Sequence, residues 1–122
     1  MSPRRIRSTN PELVRLIRLL KKKARENSAA IWRDLAERLS KPKRRRIAVN
    51  LSRLNRYTKG DDTVVVPGKV LGAGSIDHPV KVAAFAFSEQ ARLKIIKAKG
   101  KCITIPELIE MNPKGTNVKI IG

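Results

Sequence analysis

Residues 80–104, VKVAAFAFSEQARLKIIKAKGKCIT, decide the fold because a strand, a helix and a second strand follow one another there. Val80–Phe87 is largely apolar and predicts a buried strand, and Ser88 directly after it can cap a helix. The helix is predicted to run to about Lys99, and Cys102 opens a second strand. Two strands joined by a crossover helix usually pair in parallel, so this stretch predicts an α/β sheet.

The same alternation continues toward the C-terminus. Thr104 and Glu107 have the spacing of a capping box, which predicts a short helix ending at Asn112-Pro113. Val118–Ile121 is then predicted to be the closing strand. The second half of the chain is therefore a small body of alternating strands and helices.

Toward the N-terminus, two short strands and two glycine-containing turns are predicted. Thr63–Val66 is a buried strand that Pro67-Gly68 is expected to stop, and Lys69–Leu71 is a second short piece before Gly72-Ala73-Gly74. These glycines match neither the phosphate-binding loop nor the dinucleotide-binding motif. They are interpreted as turn glycines that would let Lys69 approach a phosphate group.

Two basic amphipathic helices are predicted to precede the strands. The first begins at Asn10-Pro11 and runs to about Glu26, and Asn27 or Ser28 is expected to cap a second helix ending near Leu39. The apolar positions of the first helix recur at three-four spacing: Leu13, Leu16, Ile17, Leu20 and Ala24. The fold class is therefore α/β, with two basic N-terminal helices followed by a small strand–helix body.

Three of the four aromatic residues are predicted to lie on apolar or core positions. Trp32 falls on the apolar side of the second helix, and Phe85 and Phe87 belong to the core strand. After a short strand from Ile47, Tyr57 continues the helical spacing of two leucines in a helical turn. The sequence thus offers no stacking platform of the kind that single-strand binders use.

Positive charge is concentrated in the first half of the chain. The 122 residues carry 28 Lys and Arg against 10 Asp and Glu, a net charge of +18. Residues 1–60 hold 19 of these cations and 4 acids, a net +15, whereas residues 61–122 have a net +3. We therefore expect 1–60 to be the main polyanion-binding part and 61–122 a compact α/β body, the two forming one structural unit.

The charge pattern predicts contact with a nucleic-acid backbone rather than base reading. A basic tail, a cationic helix face and five cations in residues 41–46 agree on this. About eight phosphate contacts would give a salt slope of roughly −6 to −7. The candidate contact residues are Arg4, Arg5, Arg7, Arg15, Arg18, Lys21, Lys22, Lys23, Arg25, Lys41, Lys43, Arg44, Arg45, Arg46, Arg53, Arg56 and Lys69.

Catalysis, metals and cofactors are not expected. Ser75, Asp77 and His78 resemble a hydrolase triad only by proximity, because triad members converge from separate elements. A pair of Cys102 with His78 is less favoured than a buried structural cysteine. A single histidine excludes multi-histidine metal sites, and a single cysteine excludes an internal disulfide. No small-molecule substrate is predicted.

Three alternatives follow from the same charge. The chain could be a chromatin-type DNA-binding protein, or a peripheral membrane protein that uses helix 11–26 as a basic anchor. The run 42–46 also resembles a nuclear import signal. A membrane span and a secretory signal are not expected, because the longest apolar run, 82–87, has six residues. A cytoplasmic protein is therefore predicted.

The sequence resembles the large-subunit ribosomal protein family called eighteen-e, which archaea and eukaryotes share and which is related to bacterial large-subunit protein fifteen. The resemblance rests on RRIAVNLSRLNR at 45–56, DTVVVPGKVLG at 62–72, KVAAFAFS at 81–88, and NPKG at 112–115 with VKII at 118–121. It implies a non-enzymatic component of the cytoplasmic ribosome that binds large-subunit RNA beside neighbouring ribosomal proteins. It also implies an irregular β-β-α superhelix. The short chain is similar to archaeal members.

Overall fold

The computed structural model describes residues 10–41 and 47–122. Helices and strands alternate over most of that length, as the sequence predicts. The elements are α1 (Pro11–Asn27), α2 (Ala30–Leu39), β1 (Ile47–Asn50), α3 (Leu51–Tyr57), β2 (Asp62–Leu71), β3 (Val80–Phe87), α4 (Glu89–Lys97), β4 (Lys101–Thr104), α5 (Ile105–Met111) and β5 (Val118–Ile120).

All strand pairs in the sheet are parallel, which confirms the predicted α/β class. The order is β1-β2-β3-β4, and β5 also pairs with β2. β3 pairs along most of the length of β2, so β1 and β5 must share the opposite edge. β5 pairs with Thr63–Val65, and β1 pairs with Gly68–Leu71. Two strands far apart in the sequence therefore complete one edge of β2.

The sheet separates two apolar cores. Successive side chains of a strand point to opposite faces, so neighbouring residues of β2 enter different cores. Val65 and Ala83 pack against α1, α2 and α5 on one face. Val64 and Val66 pack against α3 and α4 on the other. The helices thus cover both faces of the parallel sheet.

The two N-terminal helices form largely as predicted. The Asn10 side chain accepts a hydrogen bond from the Glu12 amide at 3.0 Å, and Pro11 occupies the first turn. The predicted cap of α2 is wrong. Ser28 adopts a left-handed φ of 51° and ends α1, so Ala29 is the N-cap of α2 without a side-chain cap bond. The tight connection requires the left-handed residue, and an N-cap needs extended backbone.

Pro67 and Gly68 do not stop the strand, contrary to the prediction. β2 continues through them, and its register with β3 shifts between Val66 and Lys69. A bulge tolerates a proline because its residues leave the regular hydrogen-bond ladder. Gly68 is therefore not a turn glycine. A Cβ atom at this position would lie 2.0 Å from the carbonyl oxygen of Ile47 in β1, so only glycine fits there.

Replacing Gly68 by alanine is expected to lower the free energy of unfolding by at least about 2 kcal/mol, because the clash is with rigid backbone. Gly60→Ala is the matched control, since a Cβ there meets nothing within 4 Å. Urea titrations of both variants would check this. Equal midpoints for the two variants would contradict the argument.

Helix signals in the second half act as predicted. The Ser88 hydroxyl accepts a hydrogen bond from the Ala91 amide at 3.1 Å and caps α4. Thr104 and Glu107 form the expected capping box at the start of α5. Gly100 was expected to stop α4, yet Lys99 takes the left-handed φ of 67°. Glycine is needed at position 100 for close packing, because a Cβ atom there would lie 2.4 Å from the Val80 carbonyl oxygen.

Candidate nucleic-acid interface

Helix α1 presents a row of exposed cations opposite its buried apolar face. Arg15, Arg18, Lys21 and Arg25 are all exposed. Within residues 10–41 and 47–122, no carboxylate lies within 4 Å of any of these four side chains. The three-four spacing that buries the leucines therefore turns the arginines toward solvent. This row is available to a polyanion without breaking a described ion pair.

Two other predicted cations of α1 are already paired. The ammonium groups of Lys22 and Lys23 lie 3.9 Å and 3.1 Å from carboxylate oxygens of Glu26. The hydrogen bond from Lys23, aided by the charges of Lys22 and Arg25, lowers the pKa of Glu26 and keeps it ionised. Lys22 and Lys23 therefore offer less net charge than the unpaired row.

Four further predicted cations lie on other elements. Lys41 follows α2, Arg53 and Arg56 lie on α3, and Lys69 lies on β2 after the bulge. All four are exposed, and none forms an ion pair within the described part of the chain. α3 packs on the face of the sheet opposite α1. The described candidates therefore do not form one patch, because those of α1 and those of α3 lie on opposite sides of the sheet.

Seven candidates fall outside the described residues. They belong to the predicted basic tail and to the densest charge run of the chain: Arg4, Arg5, Arg7, Lys43, Arg44, Arg45 and Arg46. Their contribution remains a prediction from the sequence.

Two cations that the sequence analysis did not select, Arg33 and Lys94, are placed by the structure on α2 and α4. Arg33 on α2 is exposed. Its position next to Trp32, which lies on the apolar side of the helix, could have predicted that exposure. Lys94 donates hydrogen bonds of 2.8 Å to the carbonyl oxygens of Gly72 and Gly74. That lysine fixes a loop, and nothing in the sequence pattern distinguishes it from a surface cation.

Two of the three residues that resembled a catalytic triad, Asp77 and His78, form a structural link instead. His78 Nδ1 lies 2.8 Å from an Asp77 carboxylate oxygen, and His78 Nε2 lies 2.7 Å from the Thr58 hydroxyl. The hydrogen bond with His78 lowers the pKa of Asp77. Ser75 is exposed and takes no part in these hydrogen bonds. The Thr58 hydroxyl donates to the Leu54 carbonyl, so the link ties a loop to the end of α3.

The lone cysteine, Cys102, is partly buried on β4. Burial raises the pKa of the Cys102 thiol, which disfavours the nucleophilic thiolate. Over residues 10–41 and 47–122, His, Cys, Asp and Glu side chains form no group of three that could hold a metal ion. In the same ranges, no helix combines the length and apolar character needed to cross a bilayer.

A parallel sheet covered on both faces, carrying unpaired cations on exposed helices, defines a basic domain suited to a nucleic-acid backbone. The family described as ribosomal protein 60S L18 and 50S L18e matches residues 1–122 of this chain. The chain belongs to that family. It is therefore a ribosomal protein with a structural role and not an enzyme, and its ribosomal, cytoplasmic location agrees with the prediction. The comparisons do not favour the chromatin-type alternative.

Relatives from three archaea are identical to this chain at about half of the aligned positions, and each bears the name large ribosomal subunit protein eL18. The protein of Methanothermobacter thermautotrophicus is 52% identical over 118 residues, covering 97% of this chain and 98% of the relative. That of Methanococcus maripaludis is 50% identical over 119 residues, covering 98% and 99%. That of Archaeoglobus fulgidus is 50% identical over 116 residues, covering 95% and 99%. The resemblance seen in the sequence is thereby confirmed.

Proposed function

We propose that this chain binds the phosphate backbone of large-subunit ribosomal RNA and stabilises the folded RNA. The observation that carries the proposal is the exposed row of Arg15, Arg18, Lys21 and Arg25, which lacks carboxylate partners in the described ranges. Membership of a ribosomal protein family supports ribosomal RNA and neighbouring ribosomal proteins as the partners. Arginine suits this role because its guanidinium can bind a phosphate through two hydrogen bonds.

The proposed division of labour follows the charge. Residues 1–60 supply most of the phosphate contacts, and residues 61–122 supply the sheet on which α1 and α2 pack. The packing supports this division, because Leu13, Ile17 and Leu20 on the apolar face of α1 are completely buried in the core. The same burial leaves α1 no apolar face for membrane insertion.

Replacing Arg15 and Arg18 together by glutamine is expected to lower affinity for large-subunit RNA roughly 25- to 60-fold at 0.1 M salt. Two lost phosphate contacts should also reduce the salt slope by roughly 1.5. Filter binding or fluorescence anisotropy over a series of salt concentrations measures both quantities. RNA transcribed from the Methanothermobacter thermautotrophicus large-subunit gene is a suitable probe, given the 52% identity of its protein.

The matched control is Lys97→Gln with Lys101→Gln, which removes the same charge from exposed residues at the far end of α4 and the start of β4. An equal loss in both double variants would show that affinity follows net charge and not the α1 row. Duplex DNA at matched salt is the competitor that tests the chromatin-type alternative. Equal affinity for DNA and ribosomal RNA would contradict the proposed function.

A further inference from the structure

Tyr57 is the last residue of α3, as its helical spacing with Leu51 and Leu54 predicts. The helical spacing put it with Leu51 and Leu54, and those two side chains are indeed completely buried. The Tyr57 side chain is 52% exposed at the end of α3. An exposed tyrosine ring can stack on a ligand without first leaving the core. The prediction that the chain lacks a stacking platform is therefore not supported at this residue.

A neighbouring arginine contacts the ring. The guanidinium carbon of Arg53, one helical turn earlier, lies 5.5 Å from the centroid of the Tyr57 ring. A cation over an aromatic face at this distance is attracted to it, so the pair restrains both side chains. Arg53 forms no ion pair with any acid in the described ranges. Its positive charge therefore remains available beside an exposed ring.

The pair opens onto a surface pocket of about 550 Å³ between α3 and the C-terminal segment. Ile120 and Ile121 supply apolar surface there, and Lys119 supplies a second cation. Lys119 is already bound to Asp62, at 2.9 Å between ammonium and carboxylate. Arg53 is therefore the stronger anion donor of the two cations.

An aromatic ring, an apolar wall and an unpaired guanidinium together suit a nucleotide. A base stacks on aromatic and apolar groups, and arginine binds the phosphate that follows it. The pocket is an open depression at the surface, so a base can enter it directly from solvent. Bases in the loops and bulges of structured RNA are often unstacked and free to enter such a site. A protein segment would match the apolar wall, but it would leave the positive charge uncompensated unless it were acidic.

We infer that the pocket beside Tyr57 and Arg53 receives one unstacked nucleotide of the ribosomal RNA, with its base against Tyr57 and its phosphate on Arg53. This inference rests on the proposed function and adds a base contact to the backbone contacts. Tyr57 and Arg53 lie on α3, which packs on the face of the sheet opposite α1, whereas Ile120 packs against the core on the α1 side. The chain would therefore contact RNA on both sides of its sheet.

Tyr57→Ala is the decisive variant, measured with the Methanothermobacter thermautotrophicus large-subunit RNA. Loss of one stacked base should lower affinity about five- to 150-fold. The salt slope should stay unchanged because no charge is removed. Tyr57→Phe keeps the ring and should retain wild-type affinity. Urea midpoints report whether each variant remains folded, and Tyr57 is exposed enough to tolerate both changes.

Equal RNA affinity of Tyr57→Ala and the wild-type chain would overturn the inference. Failure of the wild-type chain to bind this RNA would overturn the proposed function itself. A loss in Tyr57→Phe as large as that in Tyr57→Ala would also overturn it, because the ring would then not be the contact. Undiminished RNA binding by Tyr57→Ala, with failure to join the large subunit, would assign the pocket to a neighbouring protein. Micromolar binding of adenosine monophosphate alone would assign the pocket to a free nucleotide and overturn the RNA assignment.

Discussion

Reversing Arg44, Arg45 and Arg46 to glutamate is expected to lower affinity for large-subunit RNA more than about a hundredfold at 0.1 M salt. Three phosphate contacts alone account for roughly 125- to 500-fold, and repulsion by the new carboxylates adds to this. Residues 41–46 contain five cations and directly precede β1 in the sequence. Affinity measured as a function of salt should show a slope smaller in magnitude by roughly 2 to 3.

The control for this variant has the same change in net charge. Lys97, Lys99 and Lys101 are exposed cations within five residues, and their replacement by glutamate also removes six units of charge. If affinity depended on net charge alone, both triple variants would lose the same amount. Unchanged affinity of the Arg44–Arg46 variant at moderate salt would refute a role for this run. Circular dichroism checks that the fold is retained.

Replacing Trp32 by alanine is expected to lower the free energy of unfolding by about 3–5 kcal/mol. The side chain is completely buried at the centre of the core beneath α1 and α2, where its removal leaves a large cavity. Its indole nitrogen also donates a 2.8 Å hydrogen bond to the carbonyl oxygen of Pro113. The residue therefore joins α2 to the segment after α5. Denaturant unfolding with a fixed m-value measures the change.

Trp32→Phe separates packing from the hydrogen bond. Phenylalanine retains most of the apolar volume and loses the donor, and Pro113 is exposed, so water can replace the lost partner. The phenylalanine variant should therefore lose clearly less stability than the alanine variant. A loss below about 1 kcal/mol for Trp32→Ala would show that this core collapses around the missing side chain.

Local signals in the sequence predicted most elements of this fold. The Ser88 cap and the Thr104–Glu107 capping box are hydrogen bonds between near neighbours, so their residue types alone indicate them. Trp32 was placed in the core by helical spacing. The bulge at Pro67-Gly68 could not be predicted in this way, because it depends on pairing with β1 and β3, which lie elsewhere in the chain.

Contacts between residues far apart in the sequence could not be predicted, either for the sheet or for the candidate site. Chain order would put β5 next to β4, yet it pairs with β2 because that edge is left open beside β1. Spacing cannot show which cations find a carboxylate, so Lys23 and Arg15 look alike in the sequence although only Lys23 is paired. The exposure of the Tyr57 ring could not be predicted for a similar reason, since helical spacing does not show where the covering layer ends.

The pairing of β5 with β2 affects when the chain can fold during its synthesis. Trp32 reaches Pro113, Lys114 reaches the Asn27 carbonyl at 3.2 Å, and β5 completes an edge that β1 leaves half open. Contacts across 80 or more residues form slowly, because the intervening loop must first be closed. The basic first half therefore leaves the translating ribosome before it can reach its final packing. Its final packing must wait until residues 113–120 have been synthesised.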